Sequence, residues 1–225
     1  MKPNTFKSDL FTQFARVGKA LSNPNRLELL EFLAQSSRSV ESLANIAKLS
    51  IANTSQHLQQ LRQSGLVTSR KEGLKVYYSL SGDDVITLLD SLREVAERHL
   101  SDVDKLVSTY LTAKDNLEPI PADELLKKVK DDLVTVLDVR PKEEFDAGHV
   151  QGAINIPIEE LESQLADFDP GQEIVAYCRG PHCILAFDAV AQLRVNGFQA
   201  RRLENGYPEW KVAGHPTDGT LEDSH

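Results

Sequence analysis

"SIANTSQHLQQLRQSGLVTSRKEGLKVYYSL", Ser50 to Leu80, decides the fold of the first half of this 225-residue chain. Ser50 is suited to cap a helix and Gly65 to end one. Between them Ile51, Thr54, Leu58 and Leu61 recur on one helical face, the face expected to be buried. The opposite face carries Ala52, Gln56, Gln59 and Gln63, with Asn53 and Ser55 at its edges. After Gly65 the pattern becomes strand, turn, strand, with Glu72-Gly73 at the turn and Val76 and Tyr78 on the return. Arg70, Lys71 and Lys75 cluster at its tip, opposed only by Glu72.

A solvated helix face ordinarily carries Glu and Lys, whereas this one is polar but almost uncharged. Amide and hydroxyl side chains are those that pair with base edges in a major groove. Taken alone, an ordinary Gln-rich surface helix explains the face equally well. The hairpin decides between the two, because a basic hairpin directly after a polar helix is the arrangement of a winged helix-turn-helix. There the helix enters the groove and the wing grips phosphates. The candidate contacts with double-stranded DNA are Asn53, Ser55, Gln56, Gln59, Arg70, Lys71 and Lys75.

Working outward, Leu10, Phe11, Phe14, Val17 and Leu21 mark an amphipathic helix. Asn23 before Pro24 starts a second, with Leu27, Leu30 and Leu33 inside. Val40, Leu43, Ile46 and Ala47 form a third. From Gly82 to Leu111 a single long helix is expected, apolar at Val85, Leu88, Leu89, Leu92, Val95, Leu100, Val103 and Leu106. Such a stripe calls for a partner, either another chain or the rest of its own domain.

In "ALSNPNRLELLEFL", "IAKLSIANTSQHLQQLRQSGLV" and "RKEGLKVYYSL" the chain resembles the ArsR/SmtB family of bacterial repressors over roughly residues 10–110. The resemblance implies a homodimer, paired through its first and last helices, on a two-fold DNA operator. It departs from the family's thiolate metal sensors, since the matching "VESLANIAKL" holds no cysteine. Asp90, Glu94, Glu97, His99 and Asp102 have the letters of a carboxylate/His metal site, but a charge-rich exposed face is the commoner explanation. No metal and no cofactor are called for.

The net charge of −9 hides an asymmetry: residues 1–115 carry 15 Lys and Arg against 13 Asp and Glu, and residues 116–225 carry 10 against 21. Two domains with separate partners are expected. They are a mainly α winged helix-turn-helix and dimerisation domain at 1–113 and an α/β domain with a mainly parallel sheet at 122–225. A linker at 114–121, within "KDNLEPIP", joins them. No apolar run approaches the ~18 residues that span a bilayer, and the N-terminus lacks the apolar core of a signal peptide. A cytoplasmic protein with no membrane partner is expected.

In the second half short apolar strands alternate with helices, the signature of a parallel α/β sheet whose ligands sit at the carboxyl ends of strands. "EIVAYC" ends there in Cys178, followed by "RGPHC" and a helix. Cys178 and Cys183 are the only cysteines in the chain. Gly180 permits unusual backbone angles, Pro181 stiffens the loop, Arg179 adds positive charge, and the helix opening near His182 or Cys183 aims its amides back at Cys178. Such a nest lowers a thiol's pKa and makes a nucleophile. The competing readings are an inert buried cysteine, and a metal clip from Cys178, Cys183 and His182 or His149.

"LDVRPKEEFDAGHVQGAINIP", "YCRGPHC" and "LENGYPEW" resemble the rhodanese domain across roughly residues 117–215. That likeness implies that Cys178 accepts sulfur as a persulfide, taken from a sulfane-sulfur donor and passed to a thiol acceptor. The loop Arg179, Gly180, Pro181, His182 and Cys183 would cradle it, and Asp138 and Arg140 would pair structurally. Related phosphatases and arsenate reductases close a longer loop with Arg, which is absent here. The expected function is a transcriptional repressor that senses sulfane sulfur at Cys178, with Cys183 as resolving thiol. The alternatives are a sulfurtransferase with an appended DNA-binding domain, or a partner-docking module with vestigial thiols.

Overall fold

The computed structural model describes residues 3–112 and 119–219. It divides into two compact units, Met1–Val85 and Ile86–His225. Of the linker expected at 114–121, residues 114–118 lie outside the described residues.

The first unit is built by local caps as much as by its core. Helix α1 runs Pro3–Leu21 and α2 Pro24–Gln35, where Asn23 Oδ1 accepts the Arg26 amide at 3.2 Å. The short strand β1, Arg38–Ser39, leads into α3, Val40–Ile46, capped by Ser39. Helix α4 spans Ile51–Gln63, with the Ser50 hydroxyl accepting from the Asn53 amide at 3.2 Å, and the chain turns out of it through Gly65 at φ +80°. A positive φ there costs a glycine nothing. Strands β2, Val67–Glu72, and β3, Lys75–Leu80, form the hairpin, and Gly73 at φ +59° makes its turn. The antiparallel sheet has order β1-β3-β2, a strand more than the sequence pattern indicated.

Leu29, Leu30, Leu43, Leu58 and Leu61 are fully buried and form the centre of this unit. Thr54 joins them because its hydroxyl donates to Ser50 O at 3.0 Å and so enters the core satisfied. Ile51, expected inside, is exposed: it is the first residue of α4, ahead of the turn that packs.

Helix α5, Asp84–His99, begins with the last two residues of the first unit and continues as the first element of the second. The long helix expected from Gly82 to Leu111 is interrupted at Leu100, which takes φ −107°, ψ 102°. Helix α6, Ser101–Val107, and a π-helical turn at Ser108–Thr112 follow. Ser101, Asp102 and Asp104 are helix-starting residues, so this sequence restarts a helix rather than extending one.

The second unit continues with α7 (Ala122–Lys130), β4 (Val134–Asp138), α8 (Lys142–Ala147), β5 (His149–Val150) and β6 (Ile154–Asn155). A 3₁₀ segment spans Leu161–Asp167. Then come β7 (Glu173–Tyr177), α9 (Ile184–Val195), β8 (Ala200–Arg202), α10 (Tyr207–Val212) and β9 (Thr217–Asp218). The main sheet is parallel throughout, in the order β6-β4-β7-β8, and β5 pairs antiparallel with β9. Both faces of β7 are buried. Ile174 and Ala176 join the cluster of Val190 and Leu193 from α9, while Val175 and Tyr177 join that of Trp210. The period-two alternation of a strand therefore assigns Cys178 to the α9 face.

Candidate functional site

Strand β7 delivers Cys178 at its carboxyl end, 1% exposed, within the core cluster beneath α9. Cys183 is the N-cap of α9 with φ −68°, ψ 112°, and its amide donates to Gly180 O at 3.1 Å to close the loop. The two cysteines are joined as a disulfide, with Cα atoms 6.1 Å apart. That separation lies within the range a disulfide requires.

The loop is pressed from below by the segment before α10. The Tyr207 amide donates to Cys178 O at 3.0 Å, and a Cβ on Gly206 would collide with the backbone of Arg179 and Gly180. The side chain of Arg179, expected to add charge to the loop, forks onto Glu144 instead, with Nε donating to Oε2 at 2.9 Å and Nη2 to Oε1 at 2.8 Å. Glu144 is 1% exposed, so this cation is neutralised inside the unit. Pro181 has no amide to offer and that of Cys183 bonds Gly180, which leaves fewer free donors than the sequence suggested.

Two side chains of α5 reach the loop within this second unit. Arg93 Nη1 lies 3.3 Å from Glu209 Oε1 and 3.0 Å from Asp90 Oδ1. Glu209 Oε2 in turn accepts the Gly206 amide at 3.1 Å. A Cβ on Gly180 would stand 3.8 Å from Arg93 Nη2 and 3.9 Å from Glu209 Oε1. Glu97 Oε1 lies 3.2 Å from His182 Nε2. Burial raises the Glu209 carboxyl above its ordinary value, with Arg93 opposing. Burial lowers His182, Glu97 opposes, and Arg93 and Arg202 lower it further.

Behind the loop Asp138 and Arg140 form a fully buried ion pair at 2.6 Å, as the rhodanese likeness implied. His149, weighed as a metal ligand, places Nδ1 2.8 Å from Phe145 O and stacks on the Phe145 ring. Of the acidic cluster weighed as a metal site, Asp90 pairs with Arg93, Asp102 with Lys105 and Glu97 with His182.

In the first unit Gln56 and Gln59 are exposed on α4, with Asn53 and Ser55 half-buried beside them. Arg70, Lys71 and Lys75 are exposed on the wing, where Arg70 Nε lies 2.7 Å from Glu72 and its guanidinium 5.8 Å from the Tyr77 ring. Sequence reasoning did not find Arg93, and it assigned no role to Glu144, Gly206 or Glu209, which lie in the stretches that carry the rhodanese likeness. The contacts of Arg93 and Glu144 are with residues distant in the chain.

Comparisons with known proteins find relatives for both parts of the chain. The family model described as Rhodanese-like domain matches residues 121–213, and that described as bacterial regulatory protein, arsR family, matches residues 23–69. The HTH-type transcriptional regulator Rv0324 of Mycobacterium tuberculosis is 44% identical over 212 residues, covering 94% of this chain and 93% of that one. A homodimeric winged helix-turn-helix DNA-binding domain from Mycobacterium bovis, solved in solution, is 44% identical with a TM-score of 0.40, over 42% of this chain and 87% of its own. A rhodanese-related protein from Thermoplasma volcanium is 29% identical with a TM-score of 0.41, over 45% and 98%.

Proposed function

From the premise that this chain belongs to the ArsR-family transcriptional regulators that carry a rhodanese-like domain, we propose that it is a repressor switched by sulfane sulfur at Cys178. As a homodimer it reads a two-fold operator, with α4 in the major groove and the wing on phosphates. Exposed amides at Gln56 and Gln59 and exposed cations at Arg70, Lys71 and Lys75 support that reading.

The Cys178 thiolate attacks the outer sulfur of an anionic donor such as thiosulfate. A bond forms between Cys178 Sγ and that sulfur, the donor's sulfur–sulfur bond breaks, and sulfite leaves with the electron pair. The Cys183 thiolate then attacks Cys178 Sγ and hydrosulfide leaves. Two thiols are oxidised by two electrons and the sulfane sulfur is reduced to sulfide; of the two thiol protons, one leaves on hydrosulfide and the other passes to solvent. The sulfane sulfur is itself the oxidant. The end product is the Cys178–Cys183 disulfide, and the pairing of those cysteines is the observation that carries the proposal.

The sulfurtransferase reading is favoured by the rhodanese-like match at 121–213. Against it stands Cys183, whose attack competes with transfer to an external acceptor. Operator binding and intact mass, measured on one sample after donor treatment, test the proposal. Release should track a Cys183→Ser adduct of about 32 mass units, one sulfur atom, or the wild-type disulfide. Release that persists in Cys178→Ser refutes it, and rapid steady-state turnover with thiosulfate and cyanide favours the enzyme.

A further inference from the structure

We propose that Arg93 and Glu97 are positioning residues through which α5 holds the cysteine loop and registers its redox state. This rests on the proposed switching at Cys178. The two residues are four apart and so lie on one face of α5. Each holds a different end of the loop. Arg93 acts through Glu209, which binds the Gly206 amide, and Gly206 lies against the Arg179–Gly180 backbone. Glu97 binds His182, the residue before Cys183.

The loop has little freedom to change state without disturbing these contacts. Cys178 is 1% exposed, so an added outer sulfur, about 2 Å beyond Sγ, has to be accommodated inside the protein rather than in solvent. Gly206 closes one side so tightly that not even a methyl group fits. At Gly180 stand Arg93 of α5 and Glu209 of α10. Opening the disulfide also removes the tether that holds the two Cα atoms 6.1 Å apart, and releases the His182–Cys183 segment. Movement of the loop is therefore passed to the Arg93 and Glu97 contacts. Helix α5 starts at Asp84, just after β3 of the wing ends at Leu80, so the DNA-reading hairpin and the helix that holds the loop are neighbours in the chain. Arg93–Glu209 is a single, partly buried ion pair, and the Glu97–His182 contact is an ion pair only when His182, whose pKa burial lowers, is protonated. The coupling belongs at the low end of the allosteric range, about five- to tenfold in operator affinity.

The test is amide hydrogen exchange on the full chain, with the disulfide formed and after reduction by a dithiol, in wild type and in R93Q/E97Q. Cys178→Ser serves as a form that cannot close the disulfide. In wild type, α5 amides around residues 90–97 should differ in protection between the two states, and operator affinity should differ about five- to tenfold. In R93Q/E97Q both differences should collapse, and Cys178→Ser should match the reduced state. Indifference of α5 to the state of the wild-type loop overturns the inference, as does a double variant that keeps the full difference. If α5 follows a chemically formed disulfide but sulfane sulfur does not form it, the proposed function fails and the role of α5 stands.

Discussion

Asp138 grips Arg140 two residues further on. Arg140 Nε donates to Oδ1 at 3.0 Å and Nη2 to Oδ2 at 2.6 Å, and neither side chain is exposed. Arg140 Nη2 also donates to Gly148 O at 2.7 Å, and its guanidinium stands 4.5 Å from the Tyr207 ring. One buried cation thus ties the end of β4 to the turn before β5 and to the head of α10. Removing one partner of such a pair leaves an uncompensated buried charge, so Asp138→Asn should cost about 3–5 kcal/mol. Urea unfolding checks this, and a loss below about 1 kcal/mol, the scale of a surface pair, refutes it.

Gly206→Ala should displace the loop, because the new methyl group meets the Arg179 and Gly180 backbone rather than a side chain that can swing away. Overpacking of this kind costs about 1–3 kcal/mol. Reoxidation of the reduced cysteines should slow in the same variant. Wild-type reoxidation with unchanged stability contradicts the contact.

His182 should titrate below the ordinary 6.5, because burial disfavours the imidazolium and Arg93 and Arg202 repel it. Glu97 opposes both, so Glu97→Gln should lower the value further and Arg93→Gln should raise it. Proton NMR of the ring resonances reads both shifts, and shifts of the opposite sign disprove the arrangement. A folded value below the unfolded one means that the stability contributed is present above pH 6.5 and is lost as pH falls through the folded value.

On operator DNA, Lys71→Ala and Lys75→Ala should each weaken binding to all sequences alike and reduce the salt slope by about 1. Gln59→Ala should instead relax the preference at one base pair, by about 1–3 kcal/mol. Salt titrations on cognate and scrambled duplexes separate the two behaviours. Wing variants with an unchanged salt slope would exclude phosphate contact there.

The helices and strands of both units were legible because caps and periodicity act over a few residues: Asn23, Ser39 and Ser50 each cap the helix that follows them. The misses were also local. Leu100 sits inside an unbroken apolar stripe, and only the Ser-Asp that follows it signals the interruption. The strands β1, β5 and β9 are two residues long, too short for any alternation to register. At the site, Cys178 was legible from its place after an apolar strand. The destination of the Arg179 side chain was not, because Glu144 lies 35 positions upstream.

By itself the sequence determined the order of most of the longer elements, the polar face of α4 with its basic hairpin, and the confinement of both cysteines to one loop. These follow from neighbours in the chain, where backbone geometry leaves few alternatives. Only the tertiary structure decided that Arg179 is neutralised, that Gly206 lies beneath the loop, and that α5 supplies Arg93 and Glu97 to hold it. Arg93 and Glu209 are 116 positions apart, and their meeting depends on how whole elements pack rather than on any local preference.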